Sequence, residues 1–182
     1  MDQKELQNLR DRTDSKLRYA EIHFDELRAK NRLGGDDFDR AHQESFLYHL
    51  LGAKDAFLIE LNAYYSGGLA SKDLAAGKLR DSLKAKGKAS KELAELYSLE
   101  NDGSSWLFHA KEIRDHSTHV AGASRAFHLG GLNDGQVWLR NPKTGKNIER
   151  HFVDEFGDWL VNMKELLERL RASAAKEMSA TA

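Results

Sequence analysis

A single proline, Pro142, stands in 182 residues, and no other feature constrains the fold as much. Proline removes a backbone donor and clashes with the turn before it, so its scarcity leaves long stretches able to run as unbroken helix. From about 2 to 31, Leu6, Leu9, Thr13, Leu17, Ala20, Phe24 and Leu27 recur at alternating three- and four-residue steps with charges between them. That spacing predicts one long helix with a narrow apolar stripe. Gly34-Gly35 supplies a stop, and Asp36 or Asp37 a cap for the next helix. From Phe38 to Tyr65 the pattern widens: Leu47, Leu50, Leu51, Phe57, Leu58 and Leu61 form one face, with Ala41, Ser45, Gly52, Ala56 and Ala63 beside it. A helix apolar on two sides packs on two sides, which places it centrally.

Ser66-Gly67-Gly68 ends that helix. Gly77, Gly87 and Gly103 break up the segment 69–104, which reads as short helices at 72–85 and 90–98. Trp106, Ala110, Ile113, Ser117 and Val120 return to helical spacing and predict a third long helix to about 121. The stretches 136–140 and 146–150, joined through Asn-Pro-Lys-Thr-Gly, alternate and turn like a β-hairpin. Val153, Phe156, Leu160, Met163, Leu167 and Leu170 define a last helix that frays by about 175. Each long helix is too amphipathic to stand alone, so the expectation is an all-α fold, an antiparallel four-helix bundle with a small β-hairpin before the last helix. It forms one domain over 1–176, with the hairpin inserted at about 136–150 and a disordered tail at 177–182.

Composition narrows the function classes. The chain has no cysteine, which removes disulfides, thiolate metal sites and a cysteine nucleophile. Its N-terminal Met-Asp-Gln-Lys-Glu-Leu lacks the apolar core of a signal peptide, and Lys54, Asp55 and Glu60 interrupt its most apolar stretch. No membrane span and a cytoplasmic location are expected. With 28 basic and 29 acidic side chains the net charge is −1, so nucleic-acid binding would need a local basic patch.

The densest chemistry lies in Glu112-Ile-Arg-Asp-His-Ser-Thr-His119 on the third long helix. Arg114 and His119 are separated by four residues, a spacing that Arg18 and His23 repeat on the first helix. What sets the second pair apart is Asp115 directly after the arginine, where Tyr19 follows Arg18. Arg114, Asp115 and His119, late in the third long helix of a four-helix bundle, resemble the motif of the HEPN superfamily: Arg, four to six residues, His, with a polar residue after the Arg. The resemblance covers the bundle layout and about a dozen residues around the motif. It implies a metal-independent ribonuclease of defence or toxin systems, working as a homodimer with the motif at the interface, needing no cofactor and accompanied by an antitoxin or defence partner protein. Other members of the superfamily are catalytically silent nucleotide-binding or protein-interaction modules.

The residue chemistry is compatible. RNA supplies its own 2′-OH nucleophile, so cleavage to a 2′,3′-cyclic phosphate needs a base and a cation. His119 suits proton transfer near neutrality and Arg114 suits charge stabilisation at phosphate oxygens. Asp115, four residues before His119, is placed to orient its ring, and His116 is a second titrating group. At about 100° per residue, however, Arg114 and His119 are roughly 140° apart on a regular helix. Either the helix distorts near Ser117-Thr118, or a twofold axis brings Arg114 of one chain to His119 of another. In the structural alternative Arg114 pairs with Glu60 or another carboxylate inside the bundle and His119 is a core histidine. His49, His109 and His128 read as packing or surface residues, although His49 with His116 and His119 forms a third reading, a metal-binding bundle. The basic run containing Lys84, Lys86 and Lys88 is a candidate RNA track, as is Trp138 beside Arg140 on the hairpin.

Overall fold

The computed structural model describes residues 3–30, 36–119 and 122–181. Among them are six α-helices and one small sheet: α1 (Gln3–Lys30), α2 (Asp37–Tyr64), α3 (Ala76–Ala85), α4 (Lys91–Asn101), α5 (Trp106–His119), β1 (Arg125–Phe127), β2 (Val137–Arg140), β3 (Asn147–His151) and α6 (Phe152–Thr181). The fold is mostly helical, as the proline-poor sequence requires. The predicted stop at Gly34-Gly35 and the predicted end of the third helix at 120–121 lie outside the described residues.

Asp36 caps α2, its carboxylate accepting the Asp39 amide. The two-sided apolar pattern of α2 has the expected consequence: it packs along α1 and also against α5 and α6. Phe46, Leu47, Leu50, Leu51, Phe57, Leu58 and Leu61 are all buried, and Phe46 stacks on Phe156 of α6 with ring centroids 4.6 Å apart. Leu79 and Leu83 of α3, Leu93 and Leu96 of α4, and Leu107 and Ile113 of α5 extend the same core. The break at 66–68 is a packing requirement as well as a turn, because a Cβ on buried Gly67 would meet Leu79 Cδ1 and Asn62 Oδ1 at 2.5 Å.

The buried charge at the centre of this core is paired. Glu60 is fully buried and meets Arg171 of α6 in a fork, Nε to Oε2 at 3.0 Å and Nη2 to Oε1 at 2.7 Å. Thr13, in the apolar stripe of α1, donates its hydroxyl to the same carboxylate, and Arg171 also reaches Asp14 at 2.7 Å. The sequence reading offered Glu60 as a partner for Arg114; the structure corrects this, since Arg171 and Thr13 occupy the carboxylate.

Three other expectations are revised. The helix expected at 72–85 begins at Ala76, after a 3₁₀ turn at Ser71–Asp73. The hairpin is the latter part of a three-stranded antiparallel sheet in the order β1-β2-β3, with Arg125 opposite Leu139 and Phe127 opposite Val137. β1 has three residues, too few to show alternation. Finally, α6 continues to Thr181, past the tail expected from 177. Among the described residues no helix is long and apolar enough to cross a membrane.

Candidate anion-binding cleft

Arg114 sits one turn and a half from the end of α5, opposite the middle of α2. Its Nε and Nη2 each lie 2.8 Å from Asp115 Oδ1, and Nη1 lies 3.8 Å from Asp55 Oδ2. Asp55 in turn accepts from Lys54 Nζ at 2.9 Å, and Lys54 pairs with Glu100 of α4. Burial alone would push the Lys54 ammonium pKa down; Asp55 and Glu100 outweigh it and hold the pKa above its ordinary value. The chain of charges from α4 through α2 to α5 fixes where the Arg114 guanidinium points.

It points into a cleft of about 320 Å³ lined by Arg12 and Lys16 of α1, Tyr48, Gly52 and Asp55 of α2, Ser71 and Leu74 of the connecting segment, and Arg114. Lys16 lies across Gly52, where a Cβ would stand 3.4 Å from its Cδ, and its ammonium is 4.9 Å from the centre of the Tyr48 ring. Gly52, which the sequence pattern assigns only to a small-residue face, makes room for that stem. Arg12 is exposed and no described residue pairs with it. Three cations thus face the cleft with one carboxylate, and Asp55 is already shared with Lys54. Such an imbalance attracts an anion: Arg12 offers its whole planar fork to phosphate or carboxylate oxygens, and Arg114, whose Nε and Nη2 are on Asp115, offers Nη1.

The other motif residues are placed differently. His119 is exposed at the last position of α5 and does not line the cleft. Asp115 is engaged by Arg114, so the role of orienting His119 is not the one it fills. His116 is half-buried with no described partner. Helix distortion does not bring Arg114 and His119 together: α5 remains helical through His119, with Ser117 Oγ and Thr118 Oγ1 each donating to the Arg114 carbonyl at 2.9 Å.

Two of the candidate RNA-binding lysines have structural work. Lys86 Nζ donates to the carbonyls of Ser66 and Gly67 at 2.8 and 2.6 Å, and Lys88 Nζ to that of Tyr65 at 3.0 Å. They satisfy the acceptors at the end of α2, whose own last turn has no basic residue. Lys84 is exposed. Trp138 is half-buried, with its Nε1 donating to Gln136 and its ring 3.9 Å from that of His128. Arg140 is exposed and bonds Asn147. None of the five lines the cleft.

The metal reading does not survive in the form given. His49 lies between α1 and α2, stacked on His23 at 5.6 Å and edge-on to Tyr19 and Tyr48. Among the described residues no group of three His, Cys, Asp or Glu side chains is placed to hold a metal ion. His109 packs as expected: burial holds its pKa below the ordinary value, and its Nδ1 lies 2.9 Å from Asn141 Nδ2 in the hairpin turn. Sequence reasoning missed Arg12 and Lys16, which the packing of α1 on α2 brings to the cleft, and the contact of His23 with His42, whose Nδ1 atoms are 3.1 Å apart.

No curated protein and no solved structure matches the chain. A family model does, over residues 6–177, a span that takes in both the cleft and the helices that build it. The chain belongs to the family described as "Family of unknown function (DUF6586)".

Proposed function

We propose that this protein is a phosphate-binding module whose ligand, a nucleotide or a short stretch of RNA, seats a phosphate in the cleft formed by α1, α2 and α5. The observation that carries the reading is the set of three cations, Arg12, Lys16 and Arg114, around one already shared carboxylate. It corresponds to the silent nucleotide-binding form that the HEPN resemblance allows, on a scaffold read as an antiparallel bundle of α1, α2, α5 and α6 acting in the cytoplasm. The test is calorimetric titration with adenosine monophosphate and with adenosine as the neutral control. Binding of the nucleotide alone, weakened about tenfold or more by Arg12→Ala with Lys16→Ala, supports the module; equal binding of adenosine refutes it.

The ribonuclease is the second reading, favoured by one observation: Arg114 is reachable from solvent inside a cleft while His119 stands exposed and unpartnered among the described residues. On this reading a second copy supplies His119, and the homodimer is the working unit. Cleavage of an unstructured RNA should then persist in EDTA, leave 2′,3′-cyclic phosphate ends, and fall about 10²-fold or more in both Arg114→Ala and His119→Ala. Activity lost on chelation and restored by a divalent ion would overturn it.

A further inference from the structure

A second cleft, of about 240 Å³, lies where the first half of α2 meets the segment leading into β1. Arg40, Gln43, Glu44, Ala123, Arg125 and Phe127 are among the residues that line it. Gln43 is only 1% exposed, yet neither its Oε1 nor its Nε2 has a partner among the described residues. Buried carboxamides almost always find partners within the fold, and this one borders an open cavity instead. The Nε of Arg125 is likewise buried and has no partner among the described residues, and burial together with Arg40 lowers the pKa of its guanidinium, with Asp39 opposing. The two guanidiniums facing one space repel each other, a repulsion that Asp39 offsets at Arg125 only in part and that an anion between them would relieve. Phe127 is 54% exposed at the rim and offers an apolar face beside these polar groups.

The geometry points to a second binding site here, for a small molecule that carries a carboxylate or phosphate on a planar apolar body. The oxyanion takes donors from Arg40, Arg125 and Gln43 Nε2, and the body rests on Phe127. Gln43 Oε1 and Glu44 remain as acceptors for a proton-bearing group of the ligand. The site is distinct from the Arg114 cleft: Gln43 and Asp55 are twelve positions apart on α2, about 18 Å at 1.5 Å per residue. Its existence does not depend on the phosphate-binding reading of that other cleft.

The test uses the full chain with benzoate, phenyl phosphate and inorganic phosphate as probes, followed by nitrogen-15 NMR and calorimetry. Benzoate or phenyl phosphate should bind saturably and shift the Gln43 side-chain amide and the backbone amides of Ala123 and Phe127. Whichever binds more tightly identifies the oxyanion. Arg40→Ala, an exposed substitution, should weaken the binding read at Gln43, Ala123 and Phe127 about tenfold or more, whereas Arg12→Ala with Lys16→Ala should leave the shifts of those three residues unchanged. Gln43→Leu should abolish binding and raise the melting temperature, because it removes a buried amide that the empty fold leaves unpaired. The inference is overturned if no probe shifts these resonances at millimolar concentration, if Arg40→Ala has no effect on them, if inorganic phosphate shifts them as strongly as phenyl phosphate, or if Gln43→Leu lowers the melting temperature.

Discussion

Removing the Arg171 guanidinium should unfold this protein far more readily than removing that of Arg114. Glu60 is fully buried, and Arg171 meets both of its oxygens, at 3.0 and 2.7 Å, while bracing against Asp14. In Arg171→Ala the Glu60 carboxylate keeps one neutral donor, the Thr13 hydroxyl, and loses its counter-charge. Stranding a buried charge in this way costs about 3–5 kcal/mol. For a chain of this length about 2–4 °C is lost per kcal/mol, so thermal unfolding followed by circular dichroism should show a fall on the order of 10 °C. Arg114 is 25% exposed and its partners Asp115 and Asp55 are 43% and 51% exposed, which makes its ion pairs worth about 0–1 kcal/mol. Arg114→Ala should therefore move the midpoint by only about 4 °C at most. Replacing both members of the buried pair, Glu60→Met with Arg171→Met, should recover most of the stability, because no charge is then stranded. An Arg171→Ala midpoint within about 2 °C of the parent, or a larger loss in Arg114→Ala, would refute the assignment of the structural arginine.

Acidification should also destabilise the fold. Burial, with His42 beside His23 and with Lys16 and His23 beside His49, lowers the pKa of both histidines below 6.5 in the folded state, although Glu26 opposes this at His23. The folded chain then favours neutral rings, so their contribution is complete above about pH 6.5 and is lost as pH falls through the window below it. The melting temperature should drop between about pH 7 and about pH 5.5, and His23→Gln with His49→Gln should flatten the slope; an unchanged slope would show that these rings are not its source. Lys86→Ala with Lys88→Ala should cost about 0.5–2 kcal/mol in urea unfolding by freeing the carbonyls at the end of α2, and should leave nucleotide affinity as it was. Gly67→Ala, despite adding one methyl, should cost about 1–3 kcal/mol because that methyl meets Leu79 and Asn62 at 2.5 Å. A stability equal to the parent's would mean that the turn at 66–68 shifts freely.

The long elements were legible because their information is local. The stripe of Leu17, Phe24 and Leu27 on α1 and the paired faces of α2 depend on steps of three and four residues, which a sequence displays directly. β1 depends on pairing with β2 across nine intervening residues, and its three positions carry no period of their own. The site divides in the same way. Arg114 stood out beside Asp115 because both lie on one helix turn, but Arg12 and Lys16 join it only through the packing of α1 on α2. Lys86 and Lys88 read as a basic surface run, since nothing in the chain announces that the end of α2 lies within reach of their ammonium groups. Glu60 illustrates the same limit: a carboxylate within an apolar pattern signals a buried partner, and the choice between Arg114 and Arg171 is made by how α6 crosses α2.

The account stands most directly on where a phosphate binds. Titrating adenosine monophosphate into nitrogen-15-labelled protein should shift amide resonances around Arg12, Lys16, Gly52 and Arg114, and those shifts should vanish in Arg12→Ala with Lys16→Ala. Asp55→Asn, which removes the one carboxylate that faces the cleft among the described residues, should tighten the same binding by about tenfold or less. Shifts that instead fall elsewhere on the molecule, or that never saturate, would contradict an anion-binding cleft centred on Arg114.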